Sequence, residues 1–236
     1  MTTIAGNLKE VRARIDRACQ AAGRPAHTVE LLAVSKTFGP DAVCQAQAAG
    51  QLAFGENYVQ EGVDKIAAVA AQLPRELLQW HCIGPLQSNK TRPVAEHFDW
   101  VQSIDRLKIA QRLSEQRPTH LSALNVCLQV NIDGGANKSG VTPAELPALA
   151  DAVAALPRLR LRGLMCIPEP VSGFDAQRAL FAQARDLFEA LQARGHALDT
   201  LSMGMSEDLE AAIAAGATLV RVGRAVFGDR ALKTSA

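Results

Sequence analysis

Apolar residues first recur at three- and four-residue steps, at Ile4, Leu8, Val11, Ile15 and Ala18, and this helical spacing runs up to Gly23. The pattern then changes. Glu30-Leu-Leu-Ala-Val-Ser35 is an apolar run too brief for a helix, and Gly39-Pro40 follows it. Pro40 suits the first position of a helix, which Val43, Ala46 and Ala49 continue to Gly50. This unit of buried strand, polar loop and amphipathic helix repeats along the chain. Further strands are predicted at Leu52-Phe54, Gln79-Ile83, Trp100-Ile104, Leu124-Asn131, Leu159-Ile167, Thr200-Met203 and Leu219-Val222, eight with the first. Helices are expected in the gaps, most plainly over Ser88–His97, Arg106–Arg117, Thr142–Leu156 and Phe174–Arg194. Thr142-Pro-Ala-Glu145 has the form of a capping box with proline just inside the start. The repetition lies in pattern only, with no sequence repeat, low-complexity stretch or linker.

Strands alternating with helices imply parallel pairing, because each crossover returns to the same end of the sheet. Eight such units in 236 residues favour one domain, residues 1–236, over an open doubly wound sheet. The predicted fold is α/β, a single (β/α)8 TIM barrel with an extra N-terminal helix. Chemistry in a barrel gathers on the loops that follow the strands.

Composition narrows the class. The chain is 48% hydrophobic and 21% charged, with a net charge of +1 spread without blocks. That balance is ample for a core and argues against a nucleic-acid groove or an anionic membrane surface. No apolar stretch approaches the length of a membrane span, and the N-terminus lacks a signal-like apolar segment. A soluble, cytoplasmic protein is therefore expected, with a monomer favoured. The five cysteines are odd in number and widely spaced, so neither a disulfide framework nor a metal site is predicted.

The strand ends carry the candidate chemistry. Lys36 extends the first apolar strand in a chain with seven lysines and eighteen arginines. Burial at a barrel mouth would lower its pKa from about 10.4 and make it a nucleophile toward an aldehyde. A lysine snorkelling to the rim fits the position equally well. After the second strand, Asn57 is either a ligand contact or the N-cap of the next helix, and Tyr58, the only tyrosine, is expected to pack. His81 lies inside the third strand and reads as a satisfied core histidine ahead of a proton-transfer group. Ser88 is a candidate helix cap, and Lys90 is a cation placed against a helix dipole. Lys138 sits in a polar loop after the fifth strand, and Met165 near the end of the sixth suits either core packing or contact with a flat ring.

The last two units are the most specific. Strand seven leads into Ser202-Met-Gly204-Met-Ser206, and Arg221 and Gly223 belong to strand eight and its exit. Barrels often bind phosphate there, with small residues exposing amides and arginine adding a charged fork. Glu207 and Asp208 oppose that reading unless turned outward. No nucleotide-binding glycine loop, H-E-x-x-H or G-x-S-x-G is present. A phosphate cradle facing a lysine on strand one suits an aldehyde phosphate.

At these residues the chain resembles the pyridoxal phosphate homeostasis protein family, single-barrel relatives of alanine racemase. The carriers are Ala33-Val-Ser-Lys-Thr37, Phe54-Gly-Glu-Asn-Tyr-Val-Gln-Glu61, His81 to Lys90, Val130-Asn131 with Lys138-Ser-Gly140, Leu201 to Ser206, and Val220-Arg-Val-Gly223. The resemblance implies an alanine racemase N-terminal-domain-like barrel whose cofactor is pyridoxal 5′-phosphate, held by Lys36 as an internal aldimine. It implies that Ser202, Gly204, Arg221 and Gly223 surround the phosphate, Ser206 lying in the same loop, with Asn57 near the ring. Whether Arg221 meets the phosphate or the pyridine nitrogen stays open. Phe38-Gly39 stands where a second basic residue is common. Ala217 stands where relatives usually have serine, which would remove one phosphate contact.

Racemases of that fold need two opposed acid/base groups and a second domain, and only residues 223–236 follow the eighth strand, so no second domain is expected. The expected role is cofactor carrier or regulator in intracellular homeostasis, with cofactor-dependent apo-enzymes as candidate recipients. The alternatives are a slow amino-acid racemase or transaminase, with Tyr58, His81 or a partner chain supplying the missing acid, and an aldolase-type lysine acting on another phosphorylated metabolite.

Overall fold

The computed structural model describes residues 3–135 and 139–228. Lys138 and the tail beyond residue 228, both considered above, lie outside the described residues. The strands are β1 Glu30–Val34, β2 Ala53–Glu56, β3 Gln79–Cys82, β4 Trp100–Ile104, β5 Leu124–Gln129, β6 Leu159–Met165, β7 Thr200–Ser202 and β8 Leu219–Val222. They pair in parallel and in sequence order, and β1 closes on β8 with Leu32 opposite Arg221. The predicted eight-stranded barrel is the observed one.

Helices α1 Ile4–Ala21, α2 Pro40–Ala48, α3 Val59–Ala70, α4 Thr91–His97 and α5 Leu107–Gln116 surround the first half of the barrel. The second half carries α6 Leu146–Ala154, α7 Phe174–Ala193, α8 Leu209–Ala214 and the short α9 Arg224–Phe227. Among the described residues no helix is long and apolar enough to cross a membrane.

Alternation along the strands makes two cores. Leu31, Ala33, Phe54, Trp80, Val101, Val126, Leu164, Leu201 and Val220 belong to the large core shared with the helices. Leu32, Val34, Ala53, Ile83 and Leu219 pack together inside the barrel, as do Trp100, Cys127 and Met165. Free thiols are found at all five cysteines, four of them buried.

Two helices start later than the pattern suggests, and proline explains both. A helix from Ser88 would require the missing N–H of Pro93, so residues Ser88–Lys90 form a 3₁₀ turn and α4 begins at Thr91. Ser88 does not cap with its side chain; its carbonyl accepts from Thr91 Oγ1 at 2.9 Å. The Thr142 hydroxyl does pair with Glu145, accepting from its amide at 3.3 Å and donating to its carboxylate at 2.6 Å. With Pro147 in its first turn, α6 nevertheless begins only at Leu146. Strands β5 and β6 also stop two residues short of the predicted ends.

At the N-terminus Thr3 accepts from the Gly6 amide at 3.1 Å and caps α1. The helix buries Leu8, Val11, Ile15, Ala18 and Cys19 as one stripe. It packs on α2, α8 and α9, so the beginning of the chain braces the last two barrel units.

Candidate functional site

Lys36 follows β1 at the C-terminal mouth and is half-buried. Leu32 and Val34 face the lumen, and Lys36 is the next position of the same alternation. On the neighbouring strand, Asn57 follows β2. It is not a helix cap: Tyr58 takes the cap position of α3, without a side-chain hydrogen bond. Asn57 Oδ1 is buried and has no hydrogen-bond partner, an acceptor awaiting a donor. The Asn57 backbone is pressed against Gly84, where a Cβ would lie 2.2 Å from its carbonyl oxygen. Tyr58 does not pack as expected, being 61% exposed, since a cap position leaves its ring outside the α3 stripe.

A polar chain crosses the lumen below. Arg221 is only 4% exposed, and none of the described ion pairs includes it. Its Nη1 donates to Ser202 Oγ at 2.7 Å and its Nη2 to the Cys166 carbonyl at 2.9 Å. Ser202 then donates to Gln102 Oε1 at 2.6 Å. Gln102 Nε2 lies 2.9 Å from His81 Nδ1 and is its donor, which leaves the imidazole proton on Nε2. That Nε2 is buried without a partner, so His81 is only half satisfied. Burial drives its pKa down to about 3, with the Arg162 charge adding in the same sense. His81 also stacks on Trp100, their centroids 4.9 Å apart, while Arg162 covers a Trp100 ring at 4.6 Å. Met165 packs beside Trp100 and Cys127.

The loops after β7 and β8 flank Lys36 on its other side. Gly204 has φ 91°, and a Cβ there would meet the Ala212 methyl at 2.5 Å, so only glycine permits this turn. At Gly223 a Cβ would approach the Val34 carbonyl to 3.2 Å. Asp208, half-buried at the start of α8, accepts from the Met205 amide at 2.6 Å, while Glu207 is exposed. Desolvation raises the Asp208 pKa, a cost its bond to the Met205 amide partly offsets. From α1, Arg14 Nη1 donates to the half-buried Ser206's carbonyl at 2.7 Å and pairs with Glu210. Asn7 Nδ2 similarly holds the Val226 carbonyl at 2.9 Å.

The structure thus gathers Lys36, Asn57, Met165, Ser202, Gly204, Ser206, Arg221 and Gly223 in or around one lumen. Two expectations change. The Ser202 hydroxyl, expected near the phosphate, is buried between Gln102 and Arg221. Ala217 precedes β8, at the far end from the mouth, and packs in the outer core, so a serine there could not reach a phosphate at the mouth. Phe38, in place of a basic residue, stacks on Phe227 at 5.1 Å. Lys90 is exposed on its 3₁₀ turn.

Sequence reasoning missed Gln102, Arg14 and the acidic and basic groups behind Lys36. Gln102 left one signal, a polar residue inside an apolar strand run. Arg14 left none, because its partner is 196 positions away.

Over residues 6–231 the chain matches the family described as "Alanine racemase, N-terminal domain". It is similar to the protein named "Pyridoxal phosphate homeostasis protein" of Pseudomonas aeruginosa, 63% identical over 230 residues, 98% of this chain and 97% of that one. The protein of the same name from Escherichia coli (strain K12) is 55% identical over 230 residues, 98% of each chain. Among solved structures, PipY of Synechococcus elongatus with PLP bound matches with TM-score 0.82 and 38% identity, over 96% of this chain and 100% of PipY. Alanine racemase from Corynebacterium glutamicum shares the fold, with TM-score 0.67 and 17% identity, this chain covering 62% of it.

Proposed function

Because the chain belongs to the alanine racemase N-terminal domain family, and within it to the pyridoxal phosphate homeostasis proteins, we propose that it holds pyridoxal 5′-phosphate on Lys36 as a Schiff base. In this role it stores and delivers the cofactor in the cytoplasm rather than turning over a substrate. The observation that carries the reading is a lysine at the barrel mouth above a buried guanidinium that forms no ion pair among the described residues, Lys36 above Arg221. A buried cation hydrogen-bonded only to neutral acceptors is costly, and an electron-rich ligand in the same lumen offsets that cost.

The residues present fit this cofactor. When bound, it supplies an aldehyde that condenses with the Lys36 amine and releases water. Gly204, Ser206 and Gly223 form the phosphate side, where glycine keeps backbone amides within reach. Asn57 offers its unpartnered Oδ1 toward the ring substituents, and Met165 lines the lumen wall. Arg221 projects into the lumen from within β8, below the glycine loops, and would meet the pyridine end of a bound ligand. Ser202 keeps it there. A guanidinium at that nitrogen disfavours ring protonation and weakens the electron sink that racemisation and transamination need.

Both candidate second acids are poorly placed for turnover. His81 is neutral and sealed in the lumen with Nδ1 occupied, and Tyr58 lies exposed at a helix cap. Protein incubated with the cofactor should show a near-visible absorbance band and a borohydride-trapped adduct on Lys36, both lost in Lys36→Ala. Absence of any Lys36-dependent adduct refutes the tether. Steady multiple-turnover deuterium exchange at an amino-acid α-carbon refutes the carrier role.

A further inference from the structure

Lys36 is second in a four-residue turn that the Phe38 amide closes on the Ser35 carbonyl at 3.1 Å. Thr37, the third residue, has φ 70° and is the one non-glycine with a left-handed backbone among the described residues. A type II turn demands positive φ at that position and normally places glycine or asparagine there. A β-branched residue is strained in it, and such strain persists only where the surroundings hold it.

The holding groups come from β2 and α3. Glu61 Oε1 accepts from the Thr37 amide. Lys65 Nζ donates to the same Glu61 oxygen at 3.1 Å, to Glu56 Oε1 at 2.6 Å and to the Ser35 carbonyl at 2.7 Å. Ser35 Oγ donates to Glu56 Oε1 at 2.6 Å. Both chain neighbours of Lys36 are therefore tied to one ionic cluster, Ser35 by its carbonyl and hydroxyl and Thr37 by its amide. Glu56 and Lys65 are buried, where such bonds meet little competition from water. Ser35 and Glu56 share the alternation of Ala33 and Phe54, which face the helices. The cluster thus lies outside the sheet, on the helix side of β1 and β2.

We propose that Glu61, backed by Lys65 and Glu56, is a positioning residue that holds the strained Lys36–Thr37 turn and so presents the Lys36 amine to an aldehyde. The proposal rests on the reading of Lys36 as the tether. Its consequence is selective: Glu61 governs covalent capture and leaves binding of the phosphate and ring alone.

Three proteins test it, wild type, Glu61→Ala and Glu61→Gln, the last keeping an oxygen acceptor for the Thr37 amide. Glu61→Ala should slow formation of the borohydride-trapped Lys36 adduct about tenfold, and Glu61→Gln should stay within about threefold of wild type. Affinity for pyridoxine 5′-phosphate, which has an alcohol in place of the aldehyde, should change by less than about twofold in both. In ligand-free protein, hydrogen exchange at the Thr37 amide should accelerate about tenfold in Glu61→Ala only. Unchanged exchange and capture in Glu61→Ala overturn the proposal, and so does equal loss of pyridoxine phosphate affinity. A wild-type protein without the adduct refutes the tether instead, while the exchange measurement still decides whether Glu61 holds the turn.

Discussion

His81 shows how much one buried side chain can alter the behaviour of the whole chain. Its ring accepts one hydrogen bond, stacks on Trp100 and resists protonation down to about pH 3 because charge there cannot be solvated. In the unfolded chain the same imidazole titrates near about 6.5. Below that pH the unfolded state takes up a proton that the native state refuses, so stability falls as pH falls. The slope from this group approaches about 1.4 kcal/mol per pH unit until the native ring also titrates. Urea unfolding at pH 7 and pH 4 should therefore show a smaller loss for His81→Gln than for wild type. Equal losses would assign the acid sensitivity to other groups. A histidine within a strand was readable as buried; the vacant Nε2 was not, because it depends on a proton order set by Arg221 across the lumen.

Among the elements, α1 does more than cover the barrel. Arg14 grips the Ser206 carbonyl and Glu210, and Asn7 grips the Val226 carbonyl, so one helix steadies the loops after both β7 and β8. The Arg14–Glu210 pair is about one-third exposed, so deleting it should cost at most about 1 kcal/mol of stability. Its effect on the loops should be the larger one. Arg14→Ala is expected to weaken pyridoxine 5′-phosphate binding roughly fivefold, equivalent to about 1 kcal/mol, in a fluorescence titration. Unaltered affinity would reduce the contact to surface decoration. Helix type and order were evident from apolar spacing, whereas the starts of α4 and α6 were not. There a periodic pattern continued through Pro93 and Pro147 while the backbone donors did not.

At the scale of the molecule, closure is decisive. Strand β1 pairs with both β2 and β8, and α1 packs on α8 and α9, so both ends of the described chain contribute to one core. Unfolding should be a single transition by tryptophan fluorescence and by far-ultraviolet circular dichroism alike. A ligand at 100 times its dissociation constant adds about 2.7 kcal/mol to the native state. For a domain of this size that raises the melting temperature by roughly 5–10 °C, at about 2–4 °C per kcal/mol. Pyridoxal phosphate should produce this shift in wild type and a clearly smaller one in Lys36→Ala. Equal shifts would mean that the covalent bond adds nothing to binding.

Apolar periodicity by itself determined the eight strands, their parallel order, the capping helix at the N-terminus and the mouth at which Lys36, Asn57, Gly204 and Gly223 converge. These features are local or follow from local pattern, since burial of alternating faces leaves few arrangements for a repeated strand–helix unit. Only the tertiary structure decided which polar groups meet. It joined Ser202 to Arg221 and Gln102, put Ala217 at the far end of the barrel, and set Glu61 behind Thr37. Those outcomes depend on contacts between residues tens to hundreds of positions apart, where hydrogen-bond geometry, not hydrophobicity, selects the partner.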